Sequence, residues 1–342
     1  MAAGTLGWGI LGCGNFVRRR IVPAFQASSN ARLVALQRRS LDEARATARE
    51  LGVARAYSSR DELLADPEVQ AIFVGSHPAG HIEDVLAAAA ARKPVLCEKP
   101  LARSAAECRR MVQACAAAGV KLFVGHCGRY KQAVELAREM LAGGKLGRLE
   151  GLNAWYGFRT VPGAWRRDAR LAGGGPLLDV GPHVLDLVRY VSRDEAAEVS
   201  AIVEPQRDME SGRCEERARA ILRLRSGAPA YVQVSFREPL RTGFEVLGSE
   251  AHLRGDYILS NLEGPIVKLE RFAGDPAPMQ AETIPIERRE IYRLQIEDVT
   301  RALSDPSHAP RCATGEDGLR TLAIIDAIYE SSRTGRRTWV QV

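Results

Sequence analysis

The chain has 342 residues, more than one ordinary domain, and its 46% hydrophobic and 26% charged residues are those of a globular protein with a normal core, which excludes a disordered chain. Its net charge of +6 is dispersed rather than gathered into a stripe, which argues against nucleic acid, and its seven cysteines include no CxxC, which argues against a zinc ribbon or other metal site. They read as buried thiols of a cytoplasmic protein, and neither a signal peptide nor an apolar run near the roughly 18 residues of a membrane span is expected.

In chain order, LGWGIL (6–11), RLVALQ (32–37), AIFVGS (71–76), PVLCEK (94–99) and KLFVG (121–125) read as strands. Between them LDEARATARELG, HIEDVLAAAAARK and SAAECRRMVQACAAAG read as helices, two of them ending in a glycine suited to a left-handed cap. Strands alternating with helices predict a doubly wound parallel sheet, and the lack of clean alternation within the strands predicts burial on both faces. From about residue 148 the texture changes. RLEGLNAWYGF, AAEVSAIVEP, RARAILRLRS, AYVQVSF, GFEVLGS and HLRGDYIL read as strands, several with one wet face. The fold class is therefore α/β: a parallel doubly wound sheet in residues 1–125, then an α+β domain in 126–342 with a large, mostly antiparallel open sheet. Two helices close the chain, RREIYRLQIEDVTRALSD and EDGLRTLAIIDAIYESSRTG, and the sequence leaves open whether the last packs back on the first domain.

The turn after the first strand carries the first functional signal. Gly12-Cys13-Gly14 lets backbone amides approach a pyrophosphate at a helix N-terminus, with Asn15 and Phe16 following against the cofactor. The third position of the pattern is Val17 rather than Gly or Ala, which predicts a wider helix–strand contact. In such folds the end of the second strand offers an acid to a ribose. Here ARLVALQRRS (31–40) offers Arg38 and Arg39 beside Ser40, and no acid. Guanidinium groups pair with phosphate oxygens and stack on adenine, so NADP is expected over NAD; the competing reading is a solvated strand end. Ser76, Pro78 and His81 follow the third strand at the carboxyl edge, where ligands bind such sheets.

VLCEKP (95–100), SHPAGH (76–81), GHCGRY (125–130) and AWRRDARLAGGGPLLDVGPHVLDLVRYV (164–191), in this order, resemble the glucose–fructose oxidoreductase, inositol dehydrogenase and rhizopine-catabolism (Gfo/Idh/MocA) family over essentially the whole chain. The resemblance implies a Rossmann domain, a second domain whose open sheet joins subunits into a homodimer or homotetramer, and NAD(P)-dependent oxidation or reduction of sugars, keto-sugars or cyclitols. It implies Lys99, Asp179 and His183 as the catalytic group. Lys99 would hold the substrate oxygen, and His183 or Lys99 would move the proton. Asp179 stands one turn before His183 if that stretch is helical, although Pro182 would then kink it. Glu98 and Arg129 are implied at the cofactor, and Tyr156, Trp165 and Arg166 at the substrate. Two other functions stay open: a catalytically silent NAD(P)-binding regulator, and an NAD-dependent glycosidase on the same fold.

Overall fold

The computed structural model describes residues 5–159, 164–259, 268–274 and 280–342. The chain forms two compact units: Met1–Cys127 with Glu290–Leu319, and Gly128–Arg289 with Arg320–Val342. The stretch 290–319 lies far beyond residue 126, yet it folds with the first unit. The reason is apolar. Helix Ile291–Ser304 buries Ile291, Ile296, Val299 and Ala302, and its Thr300 hydroxyl accepts the indole N–H of the fully buried Trp8 at 3.1 Å. Without that oxygen the indole donor would be stranded in the core.

The first unit is built on β1 (Leu6–Leu11), β2 (Ala31–Gln37), β3 (Arg55–Tyr57), β4 (Ala71–Val74), β5 (Val95–Cys97) and β6 (Leu122–Val124). All pair in parallel, in the order β6-β5-β4-β1-β2-β3, and the two-residue strand Ala313–Thr314 adds antiparallel to β6. The winding reverses between β1 and β4, which opens a crevice at the carboxyl ends of those strands. β4 and β5 are buried at every position, so their lack of alternation has the expected cause. The glycine caps also form as expected: Gly52 and Gly119 end helices Leu41–Leu51 and Ala105–Ala118 at φ 64° and 68°. β3 and helix Arg60–Ala65 were not legible in the sequence, because β3 is three half-buried residues with no apolar run.

The second unit carries β7 (Leu149–Gly157), β8 (Ala196–Glu204), β9 (Arg217–Leu224), β10 (Pro229–Ser235), β11 (Arg241–Gly248), β12 (Ala251–Asp256), β13 (Lys268–Ala273) and β14 (Gln280–Thr283). They run β14-β13-β12-β11-β7-β10-β9-β8, closed at one edge by Thr338–Trp339. Every neighbour is antiparallel except β7 with β10. In β9 buried and exposed residues alternate strictly, the mark of one wet face. Helix Gly181–Ser192 packs on β7 and β10 at the dry face.

Candidate active site

The glycine turn of the first unit is shaped by steric necessity. Gly12 has φ 80°, and a Cβ there would lie 2.5 Å from the Ser76 nitrogen, so only glycine fits. Gly14 is exposed with open space where its Cβ would point. Asn15 and Phe16 are exposed and open the following helix, which widens into a π-helical turn at Val17–Ile21. Val17 does not force that helix away, as its size suggested. A Cβ on Gly75 would meet Val17 Cγ2 at 2.5 Å, so the small residue that close packing needs has moved from the helix to the end of β4.

At the end of β2 the two arginines differ. Arg38 is tied back onto the next helix, donating to Thr47 Oγ1 at 2.8 Å and pairing with Glu43 at 3.0 Å. Arg39 is exposed and has no partner among the described residues. Ser40 is the N-cap of helix Leu41–Leu51.

The loops after β4 and β5 meet through His81. This ring is buried, with Nδ1 3.0 Å from the Pro100 carbonyl and Nε2 3.0 Å from that of Ser76. Burial holds its pKa down, and a neutral ring can donate to only one of the two oxygens. One nitrogen donates and the other faces a carbonyl, so the ring lies between the two loops and links them. Ser76 Oγ donates to Asp84 at 2.7 Å, and the buried Pro78 starts helix Pro78–Ala90, where a missing N–H costs nothing. The Lys99–Pro100 peptide is cis and Lys99 is half-buried. Beside it, Glu98 is buried. Its Oε2 accepts the Lys99 amide at 3.2 Å, while Oε1 is buried with no partner. Desolvation raises this carboxyl to about 7, against the lowering effect of Lys99.

One residue of this region was missed. Tyr292, at the start of helix Ile291–Ser304, sets its ring edge-on to Phe16 at 5.6 Å. Its phenol is pushed well above the usual range by burial first, then by the charges of Cys127 and Glu98. No motif marks it, since it joins the first unit from more than half the chain away. An orphaned carboxylate oxygen, an open glycine turn and an aromatic pair at one sheet edge fit a dinucleotide that brings both polar and planar groups.

In the second unit, Tyr156 on β7 stands with its ring 6.2 Å from that of His183, at 31°. Arg166 lies with its guanidinium 4.3 Å over the Trp165 ring and its Nε 3.7 Å from Asp179 Oδ2. These five expected residues are therefore linked in pairs within one unit. Asp179 and His183 do not share an unbroken helix. One short helix ends at Asp179 and another begins at Gly181, because Pro182 is tolerated in a first turn but not in a helix interior. Arg129, expected beside a cofactor, is held by side chains of the second unit. Its buried guanidinium forms a two-pronged pair with Asp186 at 2.9 and 2.6 Å and lies 4.9 Å over Tyr190, so it braces the helix that carries His183.

A doubly wound sheet with a glycine turn at its switch point defines a dinucleotide-binding protein, and the second unit adds a separate open sheet with an imidazole on its covered face. Residues 6–126 match the model of the oxidoreductase family with an NAD-binding Rossmann fold, and residues 134–254 match that of the GFO/IDH/MocA C-terminal domain. The chain belongs to the Gfo/Idh/MocA family of oxidoreductases. It is 31% identical to 1,5-anhydro-D-fructose reductase of Ensifer adhaerens over 337 residues, 98% of each chain. It is 32% identical to D-xylose 1-dehydrogenase (NADP(+)) 2 of Haloferax volcanii over 333 residues, 96% of this chain and 98% of that one. The crystal structure of aldose-aldose oxidoreductase from Caulobacter crescentus complexed with glycerol superposes with a TM-score of 0.86 at 28% identity, covering 98% of this chain and 99% of that one. Among the described residues no helix is long and apolar enough to cross a membrane, and no cluster of metal-ligating side chains occurs.

Proposed function

We propose that this oxidoreductase transfers hydride between NADP(H) and a carbon of a sugar, keto-sugar or cyclitol that alternates between carbonyl and alcohol. The observation that carries the reading is the buried, unpartnered Oε1 of Glu98 next to Lys99, at the sheet edge that also holds the Gly12 turn. Full-length similarity to sugar reductases and dehydrogenases supports it. The nicotinamide supplies the hydride. The remaining work falls to the protein. Gly12, Gly14 and the backbone at Ser76 receive the pyrophosphate, Glu98 accepts a hydrogen bond from the cofactor's ribose or carboxamide, and Phe16 with Tyr292 offers ring surface. Hydride addition to a carbonyl leaves an alkoxide, which needs a proton as it forms. Lys99 Nζ holds that oxygen, and the His183 imidazole gives the proton and takes it back in the oxidative direction. Asp179 and Arg166 bind hydroxyls, Trp165 and Tyr156 cover apolar sugar faces, and Arg39 favours the 2′-phosphate. The wet face of the second sheet, where Ile202 and Ile221 are 64% and 58% exposed, serves as the subunit interface.

Nicotinamide absorbance tests the reading. NADPH with 1,5-anhydro-D-fructose, and NADP(+) with D-xylose and myo-inositol, should show turnover with at least one pair. Lys99→Met and His183→Asn should each lower kcat by about 10²–10⁴-fold, the range of a lost acid–base group. Cofactor binding without turnover across a broad polyol and keto-sugar panel would instead favour a silent regulator. Glycoside cleavage without net redox would favour a glycosidase.

A further inference from the structure

Just before β9 the second unit buries a carboxylate that the scheme above does not use. Glu215 is completely inaccessible. Its Oε1 accepts the backbone N–H of Gly175 at 2.9 Å and of Leu177 at 3.0 Å. These are the amides that the local backbone leaves over. Pro176 has none, and the amides of Leu178 and Asp179 already bond the Gly175 carbonyl at 3.1 and 2.9 Å. The neighbouring glycines are held as tightly. Arg207 donates to the Gly173 carbonyl at 2.7 Å and lies 3.7 Å over the Tyr329 ring. A Cβ on Gly174 would collide with the Tyr329 hydroxyl and stand 3.1 Å from Glu215 Oε2. Three side chains from distant sequence thus fix three consecutive glycines. The chain leaving that turn enters helix Pro176–Asp179 and then the helix with His183.

We propose that Glu215 is a positioning residue: its carboxylate sets the Gly173–Gly175 turn in the conformation that aims Asp179 and His183 at the substrate. Glu215 touches neither substrate nor cofactor, and this role rests on the reading of Asp179 and His183 as catalytic. A carboxylate suits it because one oxygen can accept two divergent amides with no donor to clash against them. Small displacements of reacting groups are expensive in rate, so the carboxylate's effect should be read in kcat rather than in cofactor affinity.

Glu215→Ala and Glu215→Gln are compared with the parent for kcat and KM with NADPH and 1,5-anhydro-D-fructose, for NADPH affinity by fluorescence, and for the His183 ring titration by NMR. Glu215→Ala should lower kcat about tenfold or more, displace the His183 titration and the matching limb of the kcat–pH profile, and leave NADPH affinity unchanged. Glu215→Gln keeps the accepting oxygen and should stay within about threefold of the parent, with an unmoved titration. A loss of only folded protein would scale kcat without moving either titration, and that result overturns the proposal. So does Glu215→Ala with parental kcat and titration, or Glu215→Gln as impaired as Glu215→Ala. Where Glu215→Ala does not fold, Gly174→Ala decides: it should lower kcat, and adding Tyr329→Phe, which removes the colliding hydroxyl, should restore it. No restoration counts against the proposal. If His183→Asn keeps parental turnover, the reading of the site fails; if His183→Asn is inactive while Glu215→Ala is normal, only this inference fails.

Discussion

Arg39→Ala is the sharpest test of coenzyme choice. Arg38 is already engaged by Thr47 and Glu43, whereas Arg39 is exposed with no partner among the described residues. A 2′-phosphate at the end of β2 would therefore draw mainly on Arg39. A hydrogen bond to a charged group contributes about 1.5–3 kcal/mol, and screening at an exposed site reduces this to about 1–2 kcal/mol. Its removal should cost about 5- to 30-fold in kcat/KM for NADPH and leave NADH within about twofold. The NADPH penalty should shrink at high salt, because the interaction is between exposed charges. Glu43→Gln should act in the opposite sense by releasing Arg38 toward the phosphate. Steady-state kinetics with both coenzymes at two ionic strengths measures all of this. Equal losses for NADPH and NADH in Arg39→Ala, or a parent enzyme indifferent to the coenzyme, would refute the assignment.

Three further outcomes are expected. Burial raises the Glu98 pKa from 4.5 to about 7, so between those values the folded chain keeps a proton that the unfolded chain has released. Stability of the cofactor-free protein should fall as pH rises through that window, and Glu98→Gln should abolish the fall, a difference of about 3 kcal/mol once pH is above 7, read by chemical denaturation; parallel pH curves for parent and variant would contradict this. Gly75→Ala places a methyl against Val17 and should cost about 1–3 kcal/mol of overpacking, with Val17→Ala in the same chain recovering most of it, read as a shift in Tm. Arg129→Leu strands Asp186 in the interior and should cost about 3 kcal/mol, the lower end for a broken buried pair because Arg189 stands 3.9 Å from the same carboxylate. Asp186→Leu added to it should recover stability, and no recovery would show that the pair is not the source.

Local chemistry carried much of this fold into the sequence. The five buried strands of the first unit, the caps at Gly52 and Gly119 and the turn at Gly12 are each set by residues within a few positions of one another. What the sequence hid is set by contacts between distant segments. The third glycine of the nucleotide turn is replaced in space by Gly75, 58 residues after Val17 (75 minus 17). Tyr292 reaches Phe16 only once the chain has returned to the first unit. Arg38 was legible as a cation at the right strand end, but its capture by Glu43 depends on how the next helix lies. Arg129 and His81 were recognised by motif, while the buried partners that each one holds depend on how distant segments pack. Pro182 marked a break in the helical stretch, and the side on which Asp179 falls follows from the short helix that ends there.

The return of residues 290–319 has a consequence for biosynthesis. A ribosome that has released residues 6–126 has delivered every parallel strand of the nucleotide sheet, but not the hydroxyl that satisfies Trp8, nor the short strand that shields the outer edge of β6. The nascent first unit must wait, with an open edge and an unmet indole, until the intervening residues 128–289 have emerged. Expressed alone, such a fragment should be prone to aggregate, whereas a circular permutant that joins 290–319 directly to residue 5 should mature early.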